Sequence, residues 1–201
     1  MQTALYLVMM HQAAHKDLSE ASDILVENKR NRQKDWRSRL RYFLQRPSTM
    51  KTSFSRRKSY RPTADEVNEW AQSLEILLAY KYGLAAFRIF LKSEFCEENL
   101  EFWLACEDFR KITSPAKTAS RAKWIYEEFI MSEAPKEINL DFYTKDAITQ
   151  NLQLPTPSCF SAAQKRVYYL MENNSYPRFL QSEIYKELRA VSLGEGKYLK
   201  T

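Results

Sequence analysis

Three carboxylates within little more than one helical turn, Glu97, Glu98 and Glu101, are the groups whose type and spacing come nearest to chemistry in this chain. A glycosidase-like pair needs two carboxyls facing one another across a substrate, and a hard-cation site needs several oxygens converging on one point. These three share one side of one turn and have no partner visible in the sequence. They read better as a solvated helix start, where negative side chains favour the positive end of the helix dipole. Residues 93–106 nevertheless run this acidic, Asn-bearing knuckle straight into an aromatic helix. Burying Glu97 and Glu98 unpaired would cost several kcal/mol. They and Asn99 are therefore expected at the surface, anchored by Leu100, Trp103 and Leu104 and read by something outside the fold.

Other routes to catalysis are thin. The three cysteines, Cys96, Cys106 and Cys159, form no CxxC pair and leave an odd count, so neither a disulfide framework nor a zinc site is expected. The two histidines, His11 and His15, lie near the N-terminus, away from any Ser, Cys or carboxylate that could form a catalytic set in the body of the chain. With no GxGxxG or P-loop pattern, the expectation is a protein without an active site, cofactor or metal of its own. The aromatic stripe Phe87, Phe90, Trp103, Tyr126, Phe129 and Phe160 reads as core rather than as a cofactor pocket.

The elements that must position the knuckle are helical. The chain has 201 residues, 44% of them hydrophobic and only 3 of them glycine, with no sustained apolar–polar alternation, which predicts an all-α domain. Thr63 and Glu66 have the spacing of a capping box, and Val67, Trp70, Leu74, Leu77 and Leu78 continue one face until Gly83 is expected to break it. Leu84, Phe87, Phe90 and Leu91 mark a second helix, and a third spans about 97–111. Ser114-Pro115 opens a fourth, whose inner face is Ala122, Ile125, Tyr126 and Phe129. In the loop after Pro135, Asn139 and Asp141 alternate with the apolar anchors Ile138 and Leu140, ahead of a short helix over about 144–152. Phe160, Ala163, Val167, Leu170 and Met171 predict a longer helix up to Asn173-Asn174-Ser175. Pro177 opens a last one carrying Phe179, Leu180, Ile184, Tyr185 and Leu188.

Charge divides the chain. Residues 1–62 hold 14 Lys+Arg against 5 Asp+Glu, whereas 63–201 hold 17 against 20, so the basicity belongs to an N-terminal extension. The expected organisation is an extension over 1–62, a domain over 63–190 and a flexible tail over 191–201. Met1 to Met10 are apolar but lack a basic leader and a cleavage site, so a signal peptide is not expected. Over about 29–46, Trp36, Leu40, Phe43 and Leu44 share one face, flanked by Arg32, Lys34, Arg37, Arg39 and Arg41. That pattern fits an interfacial helix on anionic inner-leaflet lipids better than a solvated arm, a calmodulin-type groove ligand or a nucleic-acid arm. Pro47 stops it before a flexible Ser/Lys/Arg-rich linker, in which Arg56-Arg57-Lys58-Ser59 has the setting of a kinase substrate.

Three blocks, 92–107, 134–142 and 170–180, resemble the regulator of G-protein signalling family in composition, order and spacing, and the similarity spans roughly 70–190. The resemblance implies a small single-domain member with an all-α bundle of about nine helices in two subdomains. It also implies the activity: acceleration of GTP hydrolysis by GTP-bound Gα subunits, with no catalytic group donated, or, as an alternative, blocking of Gα effectors by binding alone. On the family motifs the Gα-facing residues are Phe95, Cys96, Glu98 and Asn99; Glu137, Asn139 and Asp141; and Leu170, Asn174, Ser175 and Arg178. Asn139 is implied to reach the switch loops, and Arg178 to brace its own loop by pairing with Asp141.

Cys96, Asn174 and Gln181 depart from the commonest family residues, which are Ser, Asp and a basic residue. The first two match a member that prefers the Gq class over Gi, and Gln181 does not. The resemblance further implies a monomer at the cytoplasmic face of the plasma membrane and in the cytoplasm, with the nucleus open and no nucleic acid as partner.

Overall fold

The computed structural model describes residues 36–42 and 62–195. The chain divides into two compact units, Met1–Ser59 and Tyr60–Thr201. In the first unit the described residues form helix α1 (36–42), in which Trp36 and Leu40 are buried while Arg37, Arg41 and Tyr42 are exposed. The Arg37 guanidinium lies 5.4 Å from the centre of the Trp36 ring, a cation–π contact along the helix. Arg32, Lys34, Phe43, Leu44 and Ser59 fall outside the described residues, so the apolar–basic division is seen here over α1 alone.

The second unit is all helical among its described residues: α2 (Ala64–Glu69), α3 (Leu74–Ala79), α4 (Lys81–Ser93), α5 (Glu97–Arg110), α6 (Pro115–Phe129), α7 (Phe142–Asn151), α8 (Ser161–Leu170), a π-helical turn (Met171–Ser175), α9 (Tyr176–Gln181) and α10 (Glu183–Ser192). Thr63 closes the expected capping box, accepting from the Glu66 amide at 3.2 Å while Glu66 accepts from its own amide at 2.8 Å.

Two ring clusters mark two cores. Phe87, Phe90, Phe179 and Tyr185 join α4, α9 and α10, with neighbouring centroids 5.4–6.2 Å apart. Phe102, Phe109, Phe129 and Phe160 join α5, α6 and the start of α8. Apart from the stacked Phe87–Phe90 pair these contacts are steeply inclined, and aromatic pairs of either geometry add about 0.5–1.5 kcal/mol each beyond burial. Buried hydroxyls close the first core: Tyr176 Oη donates to the Trp70 carbonyl at 2.7 Å and Tyr185 Oη to that of Val67 at 3.0 Å. Gln164, buried between α5 and α8, donates to the Trp103 carbonyl and to Glu107.

Several boundaries differ from the sequence expectation. The first predicted helix is two, because Ser73 accepts from the Ile76 amide and starts α3 afresh. Gly83 does not break a helix; it lies inside α4, where a Cβ would come 2.4 Å from the Leu77 carbonyl oxygen. The chain breaks instead at Tyr80, whose backbone is extended. The last predicted helix is also two, because Ser182 caps α10. On α5 the inward residues are Leu100, Phe102, Ala105, Cys106 and Phe109, while Trp103 and Leu104 are only half-buried. Tyr126 on α6 is half-buried too.

Candidate functional site

The knuckle between α4 and α5 is a tight reversal in which the Cys96 amide donates back to the Leu91 carbonyl at 3.1 Å. Making that turn puts Phe95 at φ 55°, a left-handed conformation that costs a non-glycine residue about 1–2 kcal/mol. The ring is nevertheless left 74% exposed. Strain held at an exposed aromatic points to a surface shaped for contact.

Cys96 sits half-buried behind Phe95, its Sγ 3.7 Å from the Leu91 carbonyl. Burial, then the charge of Glu98, pushes the Cys96 thiol up to about 11, so it stays protonated at neutral pH. Ser175 of the π-turn lies within hydrogen-bonding reach of that sulfur. Ser175 is itself buried, so it ties the last block to the knuckle rather than facing a partner, contrary to the expectation.

A second correction concerns Arg178. It pairs with Glu94, Nε to Oε2 3.5 Å, so the bracing runs to the knuckle and not to Asp141. Asp141 caps α7 instead: Oδ1 accepts from the Thr144 amide at 2.9 Å and Oδ2 from its hydroxyl at 2.7 Å. The Thr144 hydroxyl and amide hold the Asp141 carboxyl below its usual range.

The middle loop is pinned by backbone bonds, Lys136 N–H to the Glu128 carbonyl at 3.0 Å and Ile138 N–H to that of Phe129 at 2.9 Å. As the alternation predicts, Ile138 and Leu140 are buried while Asn139 and Asp141 are exposed. Glu137 is committed to the loop itself, accepting from the Lys145 ammonium at 2.5 Å and from the Glu133 amide at 2.9 Å. Asn139 has no side-chain hydrogen-bond partner among the described residues, which leaves an amide able to donate and accept at once.

Glu101 links loop and knuckle. Its Oε2 lies 3.0 Å from Lys136 Nζ and its Oε1 2.7 Å from an Arg88 guanidinium nitrogen, and Lys136 also meets Glu128 at 3.1 Å. Burial acts to raise the Glu101 pKa, but the hydrogen bonds from Lys136 and Arg88 outweigh it and hold the carboxyl below its ordinary range. Sequence reasoning placed Glu101 in a solvated helix start. Its partners stand 13 residues before it and on a distant loop, so no local spacing reveals the hub.

Between knuckle and loop opens a cleft of about 530 Å³, lined by Lys92, Phe95, Glu97, Glu98, Pro135, Lys136 and Glu137. Glu97 and Glu98 in this lining, and Asn99 next to them in the chain, are half-buried rather than fully solvated, and burial followed by the neighbouring Glu97 charge raises the Glu98 pKa. On the last block, Leu170 is half-buried, and the π-turn, a device frequent at functional sites, leaves Asn174 exposed beside Arg178. Gln181 is exposed one turn on.

The three segments thus offer shape, amides and charge, with the one nearby thiol kept protonated. Among the described residues no group of three His, Cys, Asp or Glu could hold a metal ion, and no helix is long and apolar enough to cross a membrane.

A family model described as "Regulator of G protein signaling domain" matches residues 73–188. The curated "Regulator of G-protein signaling 5" of Mus musculus is 59% identical over 131 residues, covering 65% of this chain and 72% of that protein. The Rattus norvegicus protein of that name gives the same figures. The Bos taurus one is 58% identical over 130 residues, with the same shares covered.

Proposed function

Because the chain belongs to the regulator of G-protein signalling family, we propose that it is a GTPase activator for heterotrimeric Gα subunits, gripping them with the knuckle, the middle loop and the last block. The observation that carries this reading is Asn139, an exposed and uncommitted amide on a loop whose neighbours Ile138 and Leu140 are buried and whose flanking carboxylates are spent on structure.

A Gα subunit already carries its arginine in cis and a glutamine that orients the attacking water. An activator need only hold mobile switch loops in the shape the transition state requires, and preorganised hydrogen-bonding groups do that at no reorganisation cost during reaction. Asn139 does this by bonding the orienting glutamine and the switch backbone. Phe95, Asn99, Asn174 and Arg178 supply the surrounding grip, and the Glu101–Lys136 contact keeps loop and knuckle at fixed spacing.

The preferred partner is a Gq-class subunit, with Gi accepted. Asn174 removes a negative charge that would pair with a switch-region cation, and the Cys96 thiol is larger and a weaker hydrogen-bonding group than the serine hydroxyl it replaces. Delivery falls to the basic amphipathic segment 29–46, of which α1 is the described part, on anionic inner-leaflet lipid, at the cytoplasmic face of the plasma membrane. Modification at Ser59 would weaken that attraction.

The test is single-turnover GTP hydrolysis by purified Gα of several classes, with a receptor-coupled format for Gq. Effector competition in a non-hydrolysable nucleotide runs alongside. Acceleration, greatest on Gq, is the expected result; inhibition of effectors without any acceleration would replace activation by blocking. For the membrane step, Trp36 and Leu40, buried in the free chain, have to turn out onto the lipid; Trp36→Asp with Leu40→Asp then abolishes binding to anionic vesicles, and unchanged binding would leave this helix a solvated arm.

A further inference from the structure

Helix α7 carries two large rings that its fold does not use. Phe142 is 75% and Tyr143 83% exposed, and they sit edge to face with centroids 5.9 Å apart and planes at 76°. Within α7 the buried residue is Ile148. Consecutive helical residues point roughly 100° apart, so a helix of this length could turn one of an adjacent pair inward. Here neither turns in. Scattered exposed apolar side chains are ordinary, but a contiguous aromatic pair is the kind of patch that marks a contact surface.

Its place names the occupant. Asp141, between Asn139 and the pair, is fixed to α7 by both hydrogen bonds from Thr144, and Lys145 on the same turn holds Glu137 of the loop. The rings therefore keep a set direction relative to Asn139. Three residues of chain span at most about 11 Å, whereas a standard interface covers about 800 Å² per partner, a disc of roughly 16 Å radius. A subunit seated on Asn139 at that size overlaps the first turn of α7.

Resting on the Gα reading above, we propose that Phe142 and Tyr143 form an aromatic edge of the Gα-binding face, packing on an apolar surface of the same subunit beside its switch loops. They add affinity and take no part in ordering the water, so their contribution lies in binding rather than in the saturated rate.

The experiment titrates the full chain against GTP-loaded Gα in single-turnover hydrolysis, comparing Phe142→Ser with Tyr143→Ser against the unsubstituted chain. The double variant should need roughly tenfold more protein for half-saturation, as loss of two rim anchors implies, with the saturated rate and melting temperature unchanged. The ring-preserving exchange Phe142→Tyr with Tyr143→Phe should keep the original half-saturation. An unchanged half-saturation in the serine variant overturns the proposal, as does a loss matched by the ring-preserving exchange. If the serine variant loses only its sedimentation with phosphatidylserine vesicles, the pair is a lipid contact and the proposal fails. No acceleration by the unsubstituted chain on any Gα removes the Gα reading itself, whereas normal acceleration with unaltered half-saturation removes only this edge.

Discussion

Glu101 on α5 and Lys136 on the middle loop stand 3.0 Å apart, carboxylate to ammonium, and this contact ties the loop that presents Asn139 to the helix that presents Glu98 and Asn99. The Glu101 side chain is only 19% exposed and meets Arg88 of α4 as well, so three elements converge on one carboxylate. A charge paired on both oxygens and mostly out of water is worth more than a surface ion pair, and harder to lose.

Glu101→Gln should lower stability by about 1 kcal/mol at neutral pH, a fall of about 4 °C in melting temperature for a domain of this size. A double-mutant cycle with Lys136→Gln should give a coupling of at least about 0.5 kcal/mol. The pH dependence has a definite sign. The folded pKa of Glu101 is held below the ordinary 4.5, so its contribution is present above that value and is lost as pH falls through the lower folded one. Lys136 is raised above 10.5 by its bonds to Glu101 and Glu128, so its share persists below that value and is lost as pH rises through the raised one. Thermal melts from acid to alkaline pH check both limbs.

Glu98→Gln should do the reverse. Burial and the Glu97 charge raise the folded pKa of Glu98 above 4.5, so the ionised form is disfavoured in the folded chain at neutral pH. The variant should melt slightly higher than the unsubstituted protein at pH 7, with the gain vanishing as pH falls through 4.5. It should bind Gα less well, which a pull-down with transition-state-loaded Gα measures. A lower melting temperature at pH 7 would contradict the assignment.

Cys96 should be a slow nucleophile. A thiol pushed to about 11 from 9.0 has roughly a hundredfold less thiolate at neutral pH. Iodoacetamide labelling of Cys96, followed by mass spectrometry, should be slower by about that factor than in the denatured chain, and should still be accelerating above pH 9.

Gly83→Ala should destabilise by about 2–3 kcal/mol, because the new Cβ meets the Leu77 carbonyl at 2.4 Å and its Cδ1 at 2.9 Å, and a backbone oxygen cannot step aside. Urea unfolding measures it.

The sequence made the all-α class legible through the capping box at Thr63 and the apolar faces of α4, α6 and α8, and the loop alternation from Ile138 to Asp141 correctly divided buried from exposed. What it missed was set by distant partners. Gly83 looks like a helix breaker until Leu77 of α3 is found against it. Arg178 answers Glu94 rather than Asp141, a pairing 84 residues apart in the chain that no local spacing reveals, and Ser175 is buried at the end of the π-turn. Trp103 looked like an anchor, yet the α5 face packed against Phe129 and Phe160 is that of Phe102 and Phe109, leaving Trp103 half-buried against Tyr168. Phe142 and Tyr143 carried no local signal, since adjacent apolar residues of a helix can both be buried, as Leu77 and Leu78 of α3 and Phe90 and Leu91 of α4 are.

Single-turnover hydrolysis of GTP on Gα with the Asn139→Ala chain tests the central claim most directly. Asn139 is exposed and bears no structural hydrogen bond among the described residues, so the variant should melt as the unsubstituted protein does. It should nevertheless lose at least about tenfold of the acceleration at matched concentration, since the group removed acts on the switch loops as the transition state forms. Full acceleration by Asn139→Ala would contradict the account.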